Sequence, residues 1–192
     1  MFMKKMAKSA YHSLLKISPT LYFNIKYSLA AKRLCDKKSD RKPFEEFLEN
    51  CADQDKKCMQ IGVKEYMGAK FGPNWVSVDK YDTRPFIDYH YDVQDLKFED
   101  ATFDAVACIS ILEHIPYPQK AISEFYRVLK PGGKIWIQLP FQYPYHEAPK
   151  DYWRVSPDGL RVWMSDFKEI TCGNFQWTRS SLASSSYYYV MK

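Results

Sequence analysis

The stretch Lys57–Asp79, KCMQIGVKEYMGAKFGPNWVSVD, sets the topology that this sequence predicts. It contains a short apolar strand, a glycine turn, a helix with a loop, and a second apolar strand that ends in an acidic residue. In a parallel βαβ unit, Gly62 and Asp79 lie at the same edge of the sheet, which is where open α/β folds bind ligands. Their spacing is close to the ~20 residues between a nucleotide-binding glycine turn and its ribose-binding carboxylate.

Length and composition indicate one ordinary domain with an appended element. The chain has 192 residues, 46% of them hydrophobic, and at this size roughly 70% of the unfolded surface is buried without a metal or disulfide. The five cysteines form no CxxC pair, which favours a reducing compartment and argues against a zinc motif. Because no signal-peptide core and no membrane-spanning run is found, we expect a cytoplasmic protein.

Positive charge is concentrated at the start of the chain. Met1–Cys35 contains seven Lys or Arg residues and no acid, so the remainder is about neutral. An amphipathic helical pattern follows Ser18-Pro19, with lysines at its margins. We therefore predict a basic amphipathic helical arm and linker at residues 1–42 and a globular domain at residues 43–192.

Three roles stay open for this arm. It can dock on the domain, as tertiary burial stabilises most such helices. Residues 1–35 can lie on an anionic membrane surface, which would make the cytoplasmic protein peripheral. Nucleic-acid binding is the least favoured role, because no recognised motif accompanies the charge.

The globular part alternates apolar strands with helices. Strands are predicted at Cys58–Ile61, Trp75–Val78, Ile87–Tyr91, Phe103–Ile109 and Lys134–Leu139, helices at Pro43–Glu49, Pro118–Lys130 and Pro157–Met164, and an antiparallel pair at Phe167–Gly173 and Tyr187–Met191, preceded by a serine-rich bend at Ser180–Ser186. Right-handed crossovers between such strands give an α/β sandwich with a mostly parallel sheet.

The second half of the sequence carries a family resemblance. Phe98–Phe141 contains Phe103-Asp104 at the start of a strand, Leu112-Glu113-His114 after it and RVLKPGG, Arg127–Gly133, before the next. This segment resembles class I S-adenosylmethionine-dependent methyltransferases of the small-molecule, type 11-like branch. The resemblance extends from Lys57 to about Lys192. It implies a Rossmann-like three-layer sandwich with seven strands, the last antiparallel, and S-adenosylmethionine as the cofactor.

The resemblance also implies roles for residues at the carboxyl ends of the strands. By resemblance, Gly62 lets the backbone approach the methionine part of the cofactor, Asp79 accepts both ribose hydroxyls, Asp92 accepts from the adenine amino group with Val93 packing nearby, and Ser110 and Ile111 lie beside the sulfonium.

The glycine loop departs from the family pattern, which reads acid-x-Gly-x-Gly-x-Gly. Gln60 replaces the acid, and Lys64 and Tyr66 replace two glycines, although neither adopts positive φ as readily as glycine. One interpretation is a rebuilt cofactor loop, in which Gln60 lies at the cofactor and Lys64 offers its charge to the cofactor's carboxylate. The alternative is a degenerate site in a non-catalytic methyltransferase-like binding or scaffold protein.

The long loop Pro140–Leu160 is predicted to face the methyl acceptor. Its candidate substrate-binding residues are Tyr143, Tyr145, Tyr152, Trp153 and Arg154. Aromatic faces with a few polar groups suit sugar rings and amphipathic substrates. YHEAPKDYWR is similar to a lid motif of methyltransferases associated with surface-polysaccharide and lipid-linked sugar pathways. The alternative is a lid packed by its own aromatic residues, with Asp151 and Arg154 paired.

Two histidines are candidates for the acid–base chemistry. His146, assisted by Asp151, is predicted to be the general base or a substrate anchor, since its usual pKa is near neutral. His114 is the second candidate, and its alternative is a ring hydrogen-bonded to backbone in a structural turn. No metal site is predicted, because the four histidines lack paired spacing with acids or cysteines.

The sequence therefore predicts a methyltransferase that acts on an oxygen or nitrogen atom of a small-molecule acceptor, sugar-containing or lipid-linked. An NAD-dependent oxidoreductase is disfavoured because the phosphate-binding glycines are absent. A nucleic-acid methyltransferase is disfavoured because Ser110–Glu113 stands where an NPPY-type tetrapeptide would lie. The acceptor and the oligomeric state do not follow from the sequence.

Overall fold

The computed structural model describes residues 41–62, 71–147, 149–176 and 184–192. Residues 1–40 of the predicted arm, and the loop residues Lys64 and Tyr66, lie outside the described residues. Ser39–Lys192 form a compact unit. Within the described ranges, no helix has both the length and the apolar character needed to cross a membrane.

The described elements alternate in the predicted order. They are α1 (Arg41–Asn50), β1 (Cys58–Ile61), β2 (Trp75–Val78), β3 (Phe103–Ile109), a 3-10 turn (Leu112–His114), α2 (Pro118–Val128), β4 (Leu129–Gln142), α3 (Pro157–Trp163), β5 (Lys168–Gln176) and β6 (Ser184–Met191). Helix α1 begins inside the predicted linker, at Arg41.

The strands form one mixed sheet in the order β2-β1-β3-β4-β6-β5. β1 is parallel to β2 and β3, β3 is parallel to β4, and β6 is antiparallel to both of its neighbours. Ile61 is in register with Val78 on one side and Cys108 on the other. The segments that follow these three strands therefore start at one edge of the sheet, as predicted.

The sheet of the described residues has six strands where the family resemblance implies seven. The predicted strand Ile87–Tyr91 is reduced to a single parallel bridge between Val78 and Tyr89. A side chain explains this, because Asp88 Oδ2 accepts the backbone N–H of Ser77 at 2.7 Å and so replaces a ladder hydrogen bond.

Helices cover both faces of the sheet, which gives the predicted three layers. On one face, aliphatic side chains of the strands pack under α2 and α3 through Phe125, Leu160 and neighbouring residues. On the other face, α1 inserts Phe47 into an aromatic cluster. In this cluster Trp136 and Tyr187 stack with ring centroids 5.0 Å apart and an interplanar angle of 5°.

Several predicted boundaries are wrong at their ends, including those of α1, α3 and β5, which are Arg41–Asn50, Pro157–Trp163 and Lys168–Gln176 in the structure. Helix α2 stops at Val128, and β4 is longer than predicted because Leu129 already pairs with Phe103 before the register shifts. Ser184–Ser186 are buried strand residues and not part of a bend. Antiparallel pairing with both β4 and β5 keeps these serines in the sheet.

Candidate cofactor and acceptor site

Gly62 ends β1 in a conformation that only glycine adopts without strain. Its φ is +76°, and a Cβ atom built there would lie 2.4 Å from the carbonyl oxygen of Ile109 and 2.5 Å from Cγ1 of Ile111. The chain therefore passes directly against the segment that follows β3. The sequence predicts a close approach of backbone to cofactor at this position, and the structure adds a second close approach, of backbone to backbone.

Asp79 follows β2 and points one carboxylate oxygen into its own turn. Oδ1 accepts the backbone N–H groups of Tyr81 and Asp82, each at 2.9 Å. The Asp79 N–H donates to the carbonyl of Tyr89 at 3.1 Å. These bonds fix the carboxylate at the sheet edge, and among the described residues no hydrogen bond is formed by its Oδ2.

Asp92 and Val93 are less available than predicted. Asp92 Oδ2 pairs with Lys80 Nζ at 2.9 Å, and Oδ1 accepts the N–H of Gln94. Burial raises the pKa of Asp92, but the hydrogen bonds from Lys80 and Gln94 outweigh it and hold the pKa below its usual range. Val93 lies in the core. Asp92 can take an adenine amino group only through the oxygen atoms it already shares with these partners.

The loop that carries Asp92 is fastened to α2. Arg127 donates to the carbonyls of Phe98 at 2.7 Å and Leu96 at 2.9 Å. Glu124 accepts the N–H of Leu96 at 2.8 Å and pairs with Arg127. The motif RVLKPGG therefore begins with a residue that anchors the loop on the cofactor side.

Gln60 has a local structural role. The residue is buried within β1, and its Oε1 accepts the N–H of Phe71 at 2.8 Å. It thereby holds the main chain at Phe71, a few residues before β2. An amide suits this contact as well as a carboxylate would, which gives a physical reason for the departure from the family's acid.

Ser110 and Ile111 lie where β3 ends, next to Gly62. Ser110 has a φ of +54°, and its N–H donates to the carbonyl of Gln138 at 2.8 Å. Its hydroxyl is buried and has no hydrogen-bond partner among the described residues. A non-glycine residue with positive φ and an unsatisfied hydroxyl is unusual in a strand end and typical of a functional site.

The long loop packs against the 3-10 turn, and we call its described residues 143–147 and 149–154 the lid. Tyr152 N donates to Glu113 O at 2.7 Å, and Trp153 Nε1 donates to Ile115 O at 2.8 Å. His114 Nδ1 lies 2.6 Å from the carbonyl of Lys150. Three hydrogen bonds thus join segments that lie more than 30 residues apart in the sequence.

A buried ion pair shapes the lid itself. The Asp151 side chain is 1% exposed and accepts two hydrogen bonds from Arg154, both at 2.6 Å. It also accepts the backbone N–H of His146 at 2.7 Å. Arg154 holds the pKa of Asp151 well below its usual range. Asp151 is therefore a fixed carboxylate that positions His146, and not a group that takes up a proton.

The two candidate histidines, His146 of the lid and His114 of the 3-10 turn, lie side by side. Their ring centroids are 5.0 Å apart. His114 Nε2 lies 3.8 Å from Oε1 of the fully buried Glu113. Burial lowers the pKa of His114, so its ring is neutral near pH 7. A ligand-type atom from each of Glu113, His114 and His146 lies within 4.8 Å of the others.

The predicted substrate residues divide into two groups. Tyr143, Tyr145 and Tyr152 are exposed, and the Tyr143 ring lies against the His146 ring with centroids 5.0 Å apart. Trp153 and Arg154 are used within the protein: Trp153 packs on Trp163 at 5.8 Å, and Arg154 also donates to the carbonyls of Tyr143 and Pro144. The Asp151–Arg154 pairing that the alternative lid interpretation predicts is present, together with the exposed tyrosines that favour a binding role.

Comparison with known proteins gives the family. Residues 45–137 match the family model described as "Methyltransferase domain". The match includes β1 to β3, α2 and the candidate cofactor residues between them. Over these residues, just under half of the chain, the protein is similar to methyltransferase domains. The predicted resemblance is thereby confirmed, and with it the expectation of S-adenosylmethionine as the cofactor of this domain.

Curated relatives share short segments with this methyltransferase domain. A ubiquinone/menaquinone biosynthesis C-methyltransferase of Brucella anthropi is 38% identical over 69 residues, which is 30% of this chain and 26% of that protein. A ubiquinone biosynthesis O-methyltransferase of Xanthomonas oryzae is 45% identical over 53 residues, 27% of this chain and 22% of that protein. The chain thus spans about a quarter of the length of these relatives.

Solved structures share the fold of the methyltransferase domain. The [4+2]-cyclase SpnF superposes with a TM-score of 0.58 and 12% identity, covering 78% of this chain and 80% of that one. Phosphoethanolamine N-methyltransferase 2 of Haemonchus contortus, in complex with S-adenosylmethionine, gives a TM-score of 0.54 and 15% identity, covering 71% and 48%. Because one of these proteins is a cyclase, the fold alone does not specify methyl transfer.

Three features of the structure fit an S-adenosylmethionine molecule at the sheet edge. Gly62 has no side chain at the point where the backbone turns. Among the described residues, neither Oδ2 of Asp79 nor the buried hydroxyl of Ser110 has a hydrogen-bond partner. These are acceptors and close-approach points for a neutral ribose and an amino-acid tail. Sequence reasoning missed Glu113, although the Leu-Glu-His triplet places it beside a candidate base.

Proposed function

We propose that the protein transfers the methyl group of S-adenosylmethionine to an oxygen or nitrogen atom of a small-molecule acceptor. The observation that carries this proposal is the arrangement of the left-handed Gly62, the Asp79 carboxylate and the Ser110 hydroxyl on one sheet edge, in a segment that matches the methyltransferase family. The lid, which carries His146, follows β4 and is hydrogen-bonded to the 3-10 turn, which carries His114 and follows β3.

On the cofactor side, the chain supplies binding groups and the cofactor supplies a methyl group already activated by its sulfonium. Asp79 would accept the ribose hydroxyls, since a carboxylate can accept two donors at once. Gly62 and Ser110 would contact the methionine part, with Ile111 alongside. Asp92 would accept a hydrogen bond from the adenine amino group, and Lys64 would donate to the carboxylate of the cofactor. Both roles stay predictions.

On the acceptor side, His114 and His146 would face the acceptor and promote the loss of its proton. His146 would be the base or the anchor, as its main chain is held by Asp151. His114 is held through its Nδ1 by the Lys150 carbonyl, which leaves Nε2 for contact. Alignment of acceptor and methyl group, with water excluded by the lid, would provide most of the rate enhancement.

A sugar-containing or lipid-linked acceptor is the class that we propose. The support is the set of exposed tyrosines of the lid, of which Tyr143 contacts His146, because tyrosine offers an apolar face and a hydroxyl to the same ligand. Matched relatives are named for ubiquinone and menaquinone biosynthesis and for sterol 4-C-methylation. Contact of residues 1–35 with an anionic membrane is the related prediction, and vesicle pelleting with and without these residues tests it.

The cofactor proposal is tested by calorimetry with S-adenosylhomocysteine. We expect saturable binding to the full chain. Asp79→Asn should weaken it by at least tenfold, whereas Asp82→Asn in the same turn should not, because Arg84 already engages the Asp82 carboxylate. Absence of heat at high micromolar ligand would instead favour the second candidate, a non-catalytic methyltransferase-like binding protein. The observation that favours this second candidate is Gln60, because its side chain hydrogen-bonds to the backbone of Phe71 and so has a structural role.

The acid–base proposal is tested by turnover with the true acceptor. His146→Ala and His114→Ala are compared at saturating cofactor, and both should retain S-adenosylhomocysteine binding because neither residue lies on the cofactor side. A His146→Ala variant with unimpaired turnover would remove His146 from the mechanism and leave His114 as the candidate.

A further inference from the structure

The lid and the 3-10 turn bring three metal-ligating side chains to one point. Ligand atoms of Glu113, His114 and His146 all lie within 4.8 Å of one another. His114 Nε2 and Glu113 Oε1 lie 3.8 Å apart. Because metal–ligand bonds are about 2.0–2.2 Å long, one ion can contact both atoms at this separation. We propose that these three side chains bind one divalent transition-metal ion, of the Zn²⁺ type, between the lid and the turn.

The outer contacts of both rings match those of metal ligands. A ligating histidine normally donates its second ring N–H to a carbonyl or carboxylate. His114 Nδ1 lies 2.6 Å from the Lys150 carbonyl, and His146 Nδ1 lies 3.3 Å from Asp151 Oδ2 and 3.2 Å from the carbonyl of Pro144. In this arrangement both Nε2 atoms are left to bind the ion.

Arg154 is compatible with this arrangement. Its Nη2 lies 3.2 Å from His146 Nδ1 and would donate to that atom in the other tautomer. The same Nη2 already donates to Asp151 and to the Pro144 carbonyl. With His146 Nδ1 protonated, the guanidinium therefore keeps its partners. The Asp151–Arg154 pair is neutral as a whole, so Glu113 gives the three-ligand set one negative charge.

The donor set selects the kind of metal. Two imidazoles and a carboxylate suit Zn²⁺, Co²⁺ or Fe²⁺, whereas Mg²⁺ and Ca²⁺ prefer oxygen atoms alone. Glu113 is fully buried and the His146 side chain is 34% exposed. The site is thus closed at Glu113 and reaches the surface at His146, beside the Tyr143 ring. Three protein ligands with an open position are typical of catalytic and not of structural zinc.

An ion at this place would define how the acceptor ionises, and this part rests on the proposed function. A metal-bound hydroxyl loses its proton near neutral pH. His114 and His146 would then anchor the acceptor through the ion, and the hydroxyl proton would leave to solvent. The oxygen would attack the methyl carbon with the electron pair it keeps, while the methyl–sulfur bond breaks and S-adenosylhomocysteine leaves with the electrons of that bond. Metal binding itself does not depend on methyl transfer.

The test is a metal titration of the untagged full chain after treatment with a chelator. Zn²⁺ binding is followed by calorimetry and Co²⁺ binding by visible absorption. We expect one ion per chain. His146→Gln and His114→Gln should each weaken binding by at least the roughly 10–100-fold that outer-contact changes cost, and Asp151→Asn should fall within that range. His90→Gln, an exposed histidine outside the cluster, is the matched control and should bind as the wild type does.

Two results would overturn the proposal: no stoichiometric uptake by the wild type, or unchanged affinity in His146→Gln. Because His146 is partly exposed, its loss should leave the unfolding midpoint unchanged, which separates ligand loss from misfolding. S-Adenosylhomocysteine binding is measured on the same samples. Cofactor binding without metal uptake rejects the metal site alone, and metal uptake without cofactor binding rejects the proposed methyltransferase function alone.

Discussion

The two halves of the functional edge are held by different forces. The proposed cofactor half, around Gly62, Asp79 and Ser110, is built from backbone: two residues with positive φ, one segment packed closely on another, and N–H groups that fix a carboxylate. The acceptor half, made of the 3-10 turn and the lid, is joined by a buried ion pair and side-chain hydrogen bonds. The first half is thus intolerant of added volume, and the second is sensitive to removed charge.

Gly62→Ala should have the largest effect on stability. The new Cβ would require a strained backbone and would overlap the Ile109 carbonyl, so we expect a loss of about 2–4 kcal/mol in the free energy of unfolding. Urea denaturation measures it. Gly132→Ala is the control, because its φ is +77° but nothing lies within 4 Å of the added Cβ. It should cost about 1 kcal/mol, from backbone strain alone. Equal losses in the two variants would show that packing at Gly62 is unimportant.

Asp151→Asn should come next, and its effect should be local. Weakening a buried, charge-assisted network costs about 2 kcal/mol, which corresponds to roughly 30-fold faster hydrogen exchange in the lid if the lid opens on its own. Asp158→Asn is a matched control, since Asp158 forms the same kind of pair with Arg161 three residues on but is 89% exposed. Lid exchange should not change in that control. A uniform rise over the whole sheet in Asp151→Asn would contradict local opening.

Glu124 should give the cofactor half its acid sensitivity. Hydrogen bonds from Arg127, together with that from Leu96 N–H, hold the pKa of Glu124 below its usual value. Its contribution is therefore complete above the unfolded pKa of about 4.3 and is lost as pH falls through the lower folded value. Between pH 7 and pH 3, the free energy of unfolding of Glu124→Gln should fall by about 1 kcal/mol less than that of the wild type. Urea midpoints at the two pH values check this, and parallel losses would rule it out.

Ser110→Ala should have the smallest effect on stability and a clear one on binding. Removing a buried hydroxyl that has no described partner changes the free energy of unfolding by about 0–1 kcal/mol, in either direction. S-Adenosylhomocysteine affinity should fall several-fold. Ser77→Ala is the contrast, because its hydroxyl donates to Phe86 O and should cost about 1 kcal/mol. If Ser110→Ala bound the cofactor normally, its hydroxyl would have no role there.

Much of the fold follows from the sequence for a simple reason. β1, β2 and β3 have the predicted bounds, since each is a short apolar run that must be buried on both faces. The predicted strand at Ile87–Tyr91 fails because an Asp88 side chain takes the place of a backbone partner, and no periodicity reports such a substitution.

The arrangement of the candidate site was predictable on one side only. Gly62 and Asp79 follow strands, so topology alone places them together. Glu113 and His146 are 33 residues apart in the sequence. They meet because Lys150, Tyr152 and Trp153 bond the lid to the turn, while Asp151 fixes His146 within the lid. Spacing rules for metal ligands work within one helix or loop, which is why the sequence predicts no metal site.

The carboxylate of Asp88 also has a consequence for association between chains. β2 is the outermost strand of the described sheet on its side, and an outer strand normally offers free N–H groups to another molecule. Here Asp88 occupies the Ser77 N–H, while the N–H groups of Asp88 and Tyr89 both donate to the Ser77 carbonyl. An exposed negative charge now stands where a foreign strand would have to pair. The loss of a seventh strand at this border therefore leaves it resistant to strand addition and aggregation.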